Sequence, residues 1–238
     1  MRDPLYFRDF GYDRRLLPVR ALRKLEHGAT QENSKSRTGF TIGYPGWNLI
    51  YFLVQSQFRG GAAGTIIETG TNRGATTAIL AQGLVDRGVT SPRVLTFEID
   101  PQNVQKALTF LKRCGVSSAV EIYTGDTKET LAPALKSTVQ EKSVRLAFLD
   151  ASHFFNDVAF EFDAVLPYLA NDAIVIFDNT YPIAEKPDEP RVAQFLDGLI
   201  AQYGGSLIEL PFLSWFTPGV AIWQQQRPDW SHIVASGA

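Results

Sequence analysis

Acidic residues follow three short apolar segments that the sequence predicts to be strands. Glu98 ends VLTFE, Asp150 ends RLAFLD, and the pair Asp178–Asn179 ends AIVIFDN. An open α/β sheet binds its ligands just beyond the carboxyl ends of its strands, so we expect these side chains to line one crevice. A carboxylate there can accept hydrogen bonds from both hydroxyls of a ribose, and this is the role that we predict for Glu98.

The other three side chains predict a metal site. Asp150, Asp178 and Asn179 offer only oxygen donors, the ligands that a hard divalent cation such as Mg²⁺ prefers. Neighbouring parallel strands lie about 4.8 Å apart, and with Mg–O distances of about 2.1 Å two adjacent strand ends can share one ion. The alternatives are a helix cap for Asp150 and a turn at Asp178–Asn179, since both residue types favour turns.

A glycine turn links the first predicted strand to a helix. IIETGTNRGATT carries Gly70 and Gly74, which permit a tight turn and a close approach of the backbone to a ligand. The pattern is G-x-x-x-G, not the G-x-G-x-x-G of dinucleotide folds, so a turn without a ligand is the alternative. Glu98 then lies near the spacing at which nucleotide folds place a ribose-binding acid. Asp100 is predicted to cap a helix, and Asp126 either to cap a helix or to lie beside a base ring.

Strand and helix patterns alternate from Thr65 onward. Strands that are apolar on both faces and separated by helices predict a mostly parallel sheet with helices on both sides. The last two strands, with Pro211, Pro218 and Gly219 between them, predict an antiparallel hairpin at one edge. The predicted strands are Thr65–Glu68, Arg93–Glu98, Val120–Tyr123, Arg145–Asp150, Ala173–Asp178, Ser206–Leu210 and Val220–Gln225. The predicted helices among them are Ala75–Arg87, Pro101–Cys114, Lys128–Ser137, Phe154–Leu169 and Arg191–Tyr203.

Residues 1–64 have a different pattern. Helices are predicted over Asp13–Glu26 and Trp47–Phe58, joined by a polar loop. We interpret residues 1–64 as an N-terminal helical cap and residues 65–238 as the main domain.

The composition narrows the functional classes. A chain of 238 residues with 45% apolar residues suits one globular domain with some decoration. The net charge of −2, with Lys and Arg scattered, argues against a nucleic-acid surface. The single cysteine, Cys114, excludes an internal disulfide, and neither a bilayer-length apolar run nor a secretory signal is found. We therefore expect a cytoplasmic protein that acts on a small molecule, with no nucleic acid or membrane as partner and a homodimer left open.

The order of these parts resembles the class I S-adenosylmethionine-dependent methyltransferases over about Thr65 to Gln225. The resemblance rests on E-T-G-T-N-R-G in the glycine loop, F-E-I-D at the second strand and T-G-D at the third. It implies a Rossmann-like, mostly parallel seven-stranded sheet with an antiparallel terminal hairpin, and S-adenosyl-L-methionine as cofactor. The cofactor-binding residues that it implies are Glu68, Gly70, Thr71, Asn72, Gly74, Thr77, Glu98, Asp126 and Asp150.

The stretch from Val144 to Thr180 is similar to the metal-dependent O-methyltransferases of the catechol and caffeoyl-CoA type. That resemblance implies that Asp150, Asp178 and Asn179 hold Mg²⁺. His153 stands where the catechol enzymes have a lysine as general base, and a neutral imidazole with a pKa near 6.5 can serve as one. A polar residue at a helix start is the alternative for His153. Glu161, on the following helix, is interpreted as a solvated surface acid.

The sequence thus predicts a Mg²⁺-assisted O-methyltransferase of small molecules in which Asp150 and His153 are catalytic. The alternatives are a metal-independent methyltransferase of the same fold, a nicotinamide-dependent oxidoreductase and a non-catalytic binding protein. Titration with S-adenosylmethionine and with NAD distinguishes these classes.

Overall fold

A seven-stranded sheet forms the centre of the protein in the computed structural model, which describes residues 18–22, 46–88, 94–180, 188–210 and 219–225. The sheet order is β3-β2-β1-β4-β5-β7-β6. The strands are β1 (Thr65–Thr69), β2 (Val94–Glu98), β3 (Val120–Thr124), β4 (Val144–Leu149), β5 (Leu169–Asp178), β6 (Ser206–Leu210) and β7 (Val220–Gln224). All seven predicted strands are therefore present, and the predicted fold class is confirmed.

The strand directions refine one expectation. Strands β1 to β5 pair in parallel, whereas β7 runs antiparallel to both β5 and β6. The predicted hairpin does form, but β7 lies between β5 and β6, so of the two hairpin strands only β6 is an edge strand. Strands β5 and β6 run in the same direction, and a connection between two such strands must cross over the sheet. The helix between β5 and β6 supplies this crossover, and β7 then runs back between the two strands.

Six helices of the described residues connect or flank these strands. They are α1 (Gly46–Gln57), α2 (Ala75–Val85), α3 (Pro101–Cys114), α4 (Thr127–Thr138), α5 (Phe155–Val165) and α6 (Val192–Tyr203). The Asp100 side chain accepts a hydrogen bond from the amide of Gln102 and so caps α3, as predicted, with Pro101 in the first turn. Gly115 ends α3 in the left-handed conformation, where glycine is favoured.

The core lies in two clusters on opposite faces of the sheet. Alternating residues of one strand point to opposite faces: Ile66 belongs to one cluster and Ile67 to the other. Helix α1 joins the first cluster through its buried residues Trp47, Ile50 and Val54. Helix α1 therefore packs into the core of the main domain.

The rest of the N-terminal segment is only partly described. Of the predicted helix Asp13–Glu26, residues 18–22 are described, and Val19 and Leu22 are buried in the same cluster as α1. The remainder of that helix and the polar loop lie outside the described residues, so the division at residue 64 stays a prediction. Within the described ranges, no helix has both the length and the apolar character needed to cross a membrane.

Candidate functional site

The carboxyl ends of β1 to β4 open into one cavity of about 450 Å³. This volume is within the usual range of small-molecule sites, roughly 300–1,000 Å³. Its walls come from the turns that follow the four strands and from the first turns of α3, α4 and α5. The lining residues are Gly70, Asn72, Phe97, Glu98, Ile99, Asn103, Gly125, Asp126, Thr127, Lys128, Asp150, Ala151, Ser152, His153 and Asp157.

The glycine turn forms the floor of this cavity. Gly70 has φ +84°, and a Cβ there would lie 2.2 Å from the carbonyl oxygen of Asp150. Only glycine therefore allows the β1 and β4 ends to approach so closely. Gly74 has a different role, because it caps α2 with φ +80° and a Cβ there would lie 3.1 Å from the Cβ of Ala107 on α3. The second glycine thus serves helix packing and does not line the cavity.

Glu98 lies at the end of β2 with its carboxylate on the cavity wall. One oxygen accepts a hydrogen bond from the amide of Asn72 at 2.6 Å, and the other accepts from the amide of Asp100 at 2.9 Å. Each carboxylate oxygen still has a further lone pair, so Glu98 can accept additional hydrogen bonds from a ligand. The same contacts fix the turn, in which Asn72 has the left-handed φ of +49°.

Three other predicted cofactor-binding side chains lie beneath the turn. Glu68 is fully buried, and its Oε2 accepts hydrogen bonds from the hydroxyls of Thr77 and Thr96, each at 2.6 Å. The hydroxyl of Thr71 is 2.6 Å from that of Thr96. The side chains of Glu68, Thr71 and Thr77 therefore support the turn from below and are absent from the cavity lining, and their role in cofactor binding stays a prediction.

Burial raises the pKa of Glu68 to about 7, even though the hydroxyls of Thr77 and Thr96 lower it. A group whose folded pKa is raised contributes stability below its unfolded pKa and loses that contribution as pH rises through the folded value. Ionisation of Glu68 should therefore destabilise the fold between about pH 4.5 and 7, by roughly 3 kcal/mol at most.

We accordingly expect the Glu68→Gln variant to gain stability relative to wild type as pH rises from 5 to 8. Glutamine keeps an acceptor for the threonines and cannot ionise. Urea unfolding at both pH values measures the difference, with the exposed acid Glu141→Gln as control. An equal pH dependence in Glu68→Gln and wild type would contradict the raised pKa.

The start of α4 forms another part of the cavity wall. The Asp126 side chain accepts from the amide of Lys128 at 2.9 Å, so it caps α4 and also lines the cavity. Both alternatives for Asp126 are thus compatible with its position. Lys128 lies 2.5 Å from Asp157 of α5, which also accepts a hydrogen bond from Ser152. These contacts tie α4 to the turn after β4.

The two acids predicted as metal ligands lie together. Leu149 pairs with Phe177 across β4 and β5, so the next residues, Asp150 and Asp178, are neighbours at the sheet edge. Burial, the charge of Asp178 and a hydrogen bond between the two carboxyl groups raise the pKa of Asp150 well above its usual value. Asn179 follows with the left-handed φ of +57°. The described residues contain no group of three or more His, Cys, Asp or Glu side chains placed to hold a metal; the predicted set has two acids and one amide.

His153 lies on the cavity wall next to the same acids, with its Nε2 atom 4.0 Å from Oδ1 of Asp150. Burial, and secondarily the charge of Arg191, lowers the pKa of His153 to about 4. The imidazole is therefore neutral at pH 6 to 8, the form that can accept a proton.

Residues 188–191 brace the turn that carries His153. Arg191 forms a backbone bridge with Phe154, and its guanidinium lies over the Phe154 ring, 4.6 Å from the centroid. The amide of Phe155 donates to the carbonyl of Pro190 at 3.0 Å. The part of the chain after β5 therefore packs on the histidine turn, whereas residues 181–187 lie outside the described residues.

Glu161 of α5 is the main site residue that sequence reasoning missed. It was expected to be solvated, but its exposed fraction is 0%, and it accepts hydrogen bonds from the hydroxyls of Thr69 and Thr127. Burial raises its pKa to about 7 against the effect of these hydroxyls. A signal was present, because Glu161 falls at helical spacing between Val158 and Val165 on the buried face of α5.

A family comparison covers the part of the chain that forms this cavity. Residues 67–180 match the family model described as "Methyltransferase domain". No curated protein matches the sequence closely enough to count as a relative.

Solved structures share the fold. The O-methyltransferase TomG from Streptomyces achromogenes, involved in tomaymycin synthesis and solved with SAM, is 21% identical with a TM-score of 0.67, covering 84% of this chain and 88% of its own. The O-methyltransferase from Bacillus cereus, solved with SAH, is 22% identical with a TM-score of 0.67, covering 84% and 90%. The SAH-bound Podospora anserina methyltransferase PaMTH1 is 17% identical with a TM-score of 0.65, covering 95% and 100%.

Proposed function

We propose that this chain, a class I methyltransferase by its fold and its methyltransferase domain, transfers the methyl group of S-adenosylmethionine to a hydroxyl oxygen of a small molecule. The observation that carries the proposal is the cavity lined by Glu98 at one end and by Asp150 and His153 at the other, with Asp178 buried beside Asp150. The TomG and Bacillus cereus proteins, both O-methyltransferases, support oxygen as the acceptor atom.

The residues present fit the cofactor. Glu98 has free lone pairs on the cavity wall for ribose hydroxyls, and Asp126 and Asn103 offer polar groups for a base on the far side. Ile99, directly after Glu98, is an exposed apolar residue in the same lining, and it provides a surface for a flat ring. S-adenosylmethionine would supply an electrophilic methyl group on a sulfonium.

The residues also fit a divalent cation. Two carboxyl groups in contact at a buried site cannot both ionise without a counter-charge, and Asp150 and Asp178 are in this arrangement. We propose that they hold Mg²⁺ together with Asn179. The ion would stabilise negative charge that develops on the acceptor oxygen.

His153 serves as the general base in this proposal. Its neutral ring lies on the cavity wall and can take the proton of the acceptor hydroxyl. The Phe154–Arg191 contact and the Ser152–Asp157 hydrogen bond hold the turn around it. The protein's larger contribution would be orientation, since near-attack placement of two reactants is worth roughly 7–11 kcal/mol at best.

The test of the function is transfer of isotope-labelled methyl from S-adenosylmethionine to a panel of phenols, catechols and other hydroxyl compounds. Calorimetric titration with S-adenosylhomocysteine and with NAD accompanies it. Binding of S-adenosylhomocysteine with labelled, base-stable methyl ethers as product supports the proposal. Binding of NAD alone would favour the oxidoreductase, and cofactor binding with no acceptor across the panel would favour the binding protein.

The cofactor assignment has a direct mutational test in Glu98→Ala. Loss of charge-assisted hydrogen bonds should weaken S-adenosylhomocysteine binding by about 1.5–3 kcal/mol, or roughly 10- to 150-fold. Titration calorimetry measures this, with Glu141→Ala as an exposed acidic control. Because Glu98 also accepts from the amide of Asn72, circular dichroism must show that the variant is folded. Wild-type affinity in a folded variant would reject Glu98 as the ribose ligand.

A further inference from the structure

We infer that Glu161 is a positioning residue that sets the spacing between the walls of the cofactor cavity. The inference rests on the proposed function, since it assigns to that same cavity a residue that touches no ligand itself. Glu161 lies on α5 and is fully buried, outside the cavity lining.

Each oxygen of the Glu161 carboxylate accepts a hydrogen bond from a different element of the site. Oε2 accepts from the hydroxyl of Thr69 at 2.7 Å, and Oε1 accepts from the hydroxyl of Thr127 at 2.9 Å. Thr69 is the last residue of β1 and immediately precedes Gly70 of the cavity floor. Thr127 is the first residue of α4 and lines the cavity. One carboxylate therefore joins the glycine turn to the α4 wall.

The hydrogen-bond network continues to Asp150 at the end of β4. The amide of Asp150 is shared between the hydroxyl oxygen and the backbone carbonyl oxygen of Thr69, each 3.2 Å from its nitrogen. Because the single hydroxyl proton of Thr69 is directed to Glu161, a lone pair of that oxygen is free to accept from Asp150. Hydrogen bonds that are linked in a chain in this way polarise and strengthen one another. Glu161 thus orients the hydroxyl that shares the Asp150 amide with the Thr69 carbonyl at the end of β4.

A role in positioning the site would explain why Glu161 is buried. An acid at a buried position costs free energy unless it is hydrogen-bonded, and an apolar residue would suit the face that Val158 and Phe162 share. The partners of Glu161 are not local, because Thr69 is 92 residues away and Thr127 is 34 residues away in the chain. The hydrogen bonds described for its carboxylate go to Thr127 of the cavity lining and to Thr69, the residue before Gly70, which assigns it to the geometry of the site.

The experiment compares four proteins for S-adenosylhomocysteine affinity by calorimetry and for thermal unfolding: wild type, Glu161→Gln, Glu161→Leu and Asp163→Asn. Glutamine can accept from one threonine and donate to the other, so its affinity should stay within about threefold of wild type. Leucine makes neither bond, and its affinity should fall by about 10- to 100-fold at temperatures well below unfolding. Asp163 is the matched control, since it is an exposed acid of the same helix bonded to Tyr203.

A double-mutant comparison separates positioning from general stability. Thr127→Val should weaken binding in the Glu161 background and have no additional effect in Glu161→Leu, since both remove the same link. If Glu161→Leu does not fold, Thr69→Val in the native background decides, since the Thr69 side chain is buried outside the cavity lining, and wild-type affinity there overturns the inference. Wild-type affinity in a folded Glu161→Leu, or in Thr127→Val, overturns the inference. Failure of the wild-type protein to bind S-adenosylhomocysteine instead overturns the proposed function itself.

Discussion

Replacement of His153 by alanine is expected to lower methyl-transfer turnover by about 10²–10⁴-fold, the usual contribution of a general base. The imidazole lies on the cavity wall, 4.0 Å from Asp150, and it is neutral at physiological pH because burial lowers its pKa to about 4. Affinity for S-adenosylhomocysteine should be nearly unchanged, since Glu98 is at the other end of the cavity.

His153→Gln is the matched variant, because glutamine is polar and similar in reach but cannot take up a proton. It should be as slow as His153→Ala, and added imidazole should restore part of the activity of the alanine variant only. For the wild type, the lowered pKa predicts that kcat/KM shows no loss from His153 protonation between pH 8 and 6. The loss should begin only as the pH approaches about 4, where the ring takes up a proton. Near wild-type turnover in both variants would show that His153 is structural.

Removal of divalent cations is expected to abolish turnover, and added Mg²⁺ is expected to restore it. The physical reason is the Asp150–Asp178 pair, whose mutual repulsion in a buried site favours a bound cation. Binding of S-adenosylhomocysteine should change little, because the ion is proposed to act on the acceptor.

The metal itself provides a second measurement. Mg²⁺ should raise the unfolding temperature of the wild type relative to chelator, since a ligand that binds only the folded state stabilises it. That increase should vanish in Asp178→Asn, which keeps the side-chain size and removes one charge. Full turnover in excess chelator, with no shift in the unfolding temperature, would leave the metal-independent methyltransferase as the better proposal.

Much of the fold was readable because its signals are local. Apolar segments separated by amphipathic helices predicted the parallel strands, and the Asp100–Pro101 pair predicted the start of α3 at the residue where it begins. The side chains at strand ends were predicted to line one crevice: Glu98 and Asp150 do line one cavity, whereas Asp178 and Asn179 are not among its lining residues. The rule behind this is geometric, since parallel strands place their carboxyl ends at one edge of the sheet.

Other features depend on register and packing between distant segments. The contact between Asp150 and Asp178 requires Leu149 to pair with Phe177, a pairing that no local pattern specifies. The position of β7 is of the same kind. The connection from β5 to β6 leaves a strand position between them, and β7 fills it.

The sequence by itself determined the strand-end acids, the glycine turn and the helix caps, because each follows from the conformational preferences of residues close together in the chain. Only the tertiary structure decided that Glu68 and Glu161 are buried acids hydrogen-bonded to threonines. The physical reason is that an acid can be buried only where hydrogen-bond donors meet it. For Glu161 those donors are Thr69 and Thr127, which come from β1 and α4 and approach α5 only once the sheet has formed.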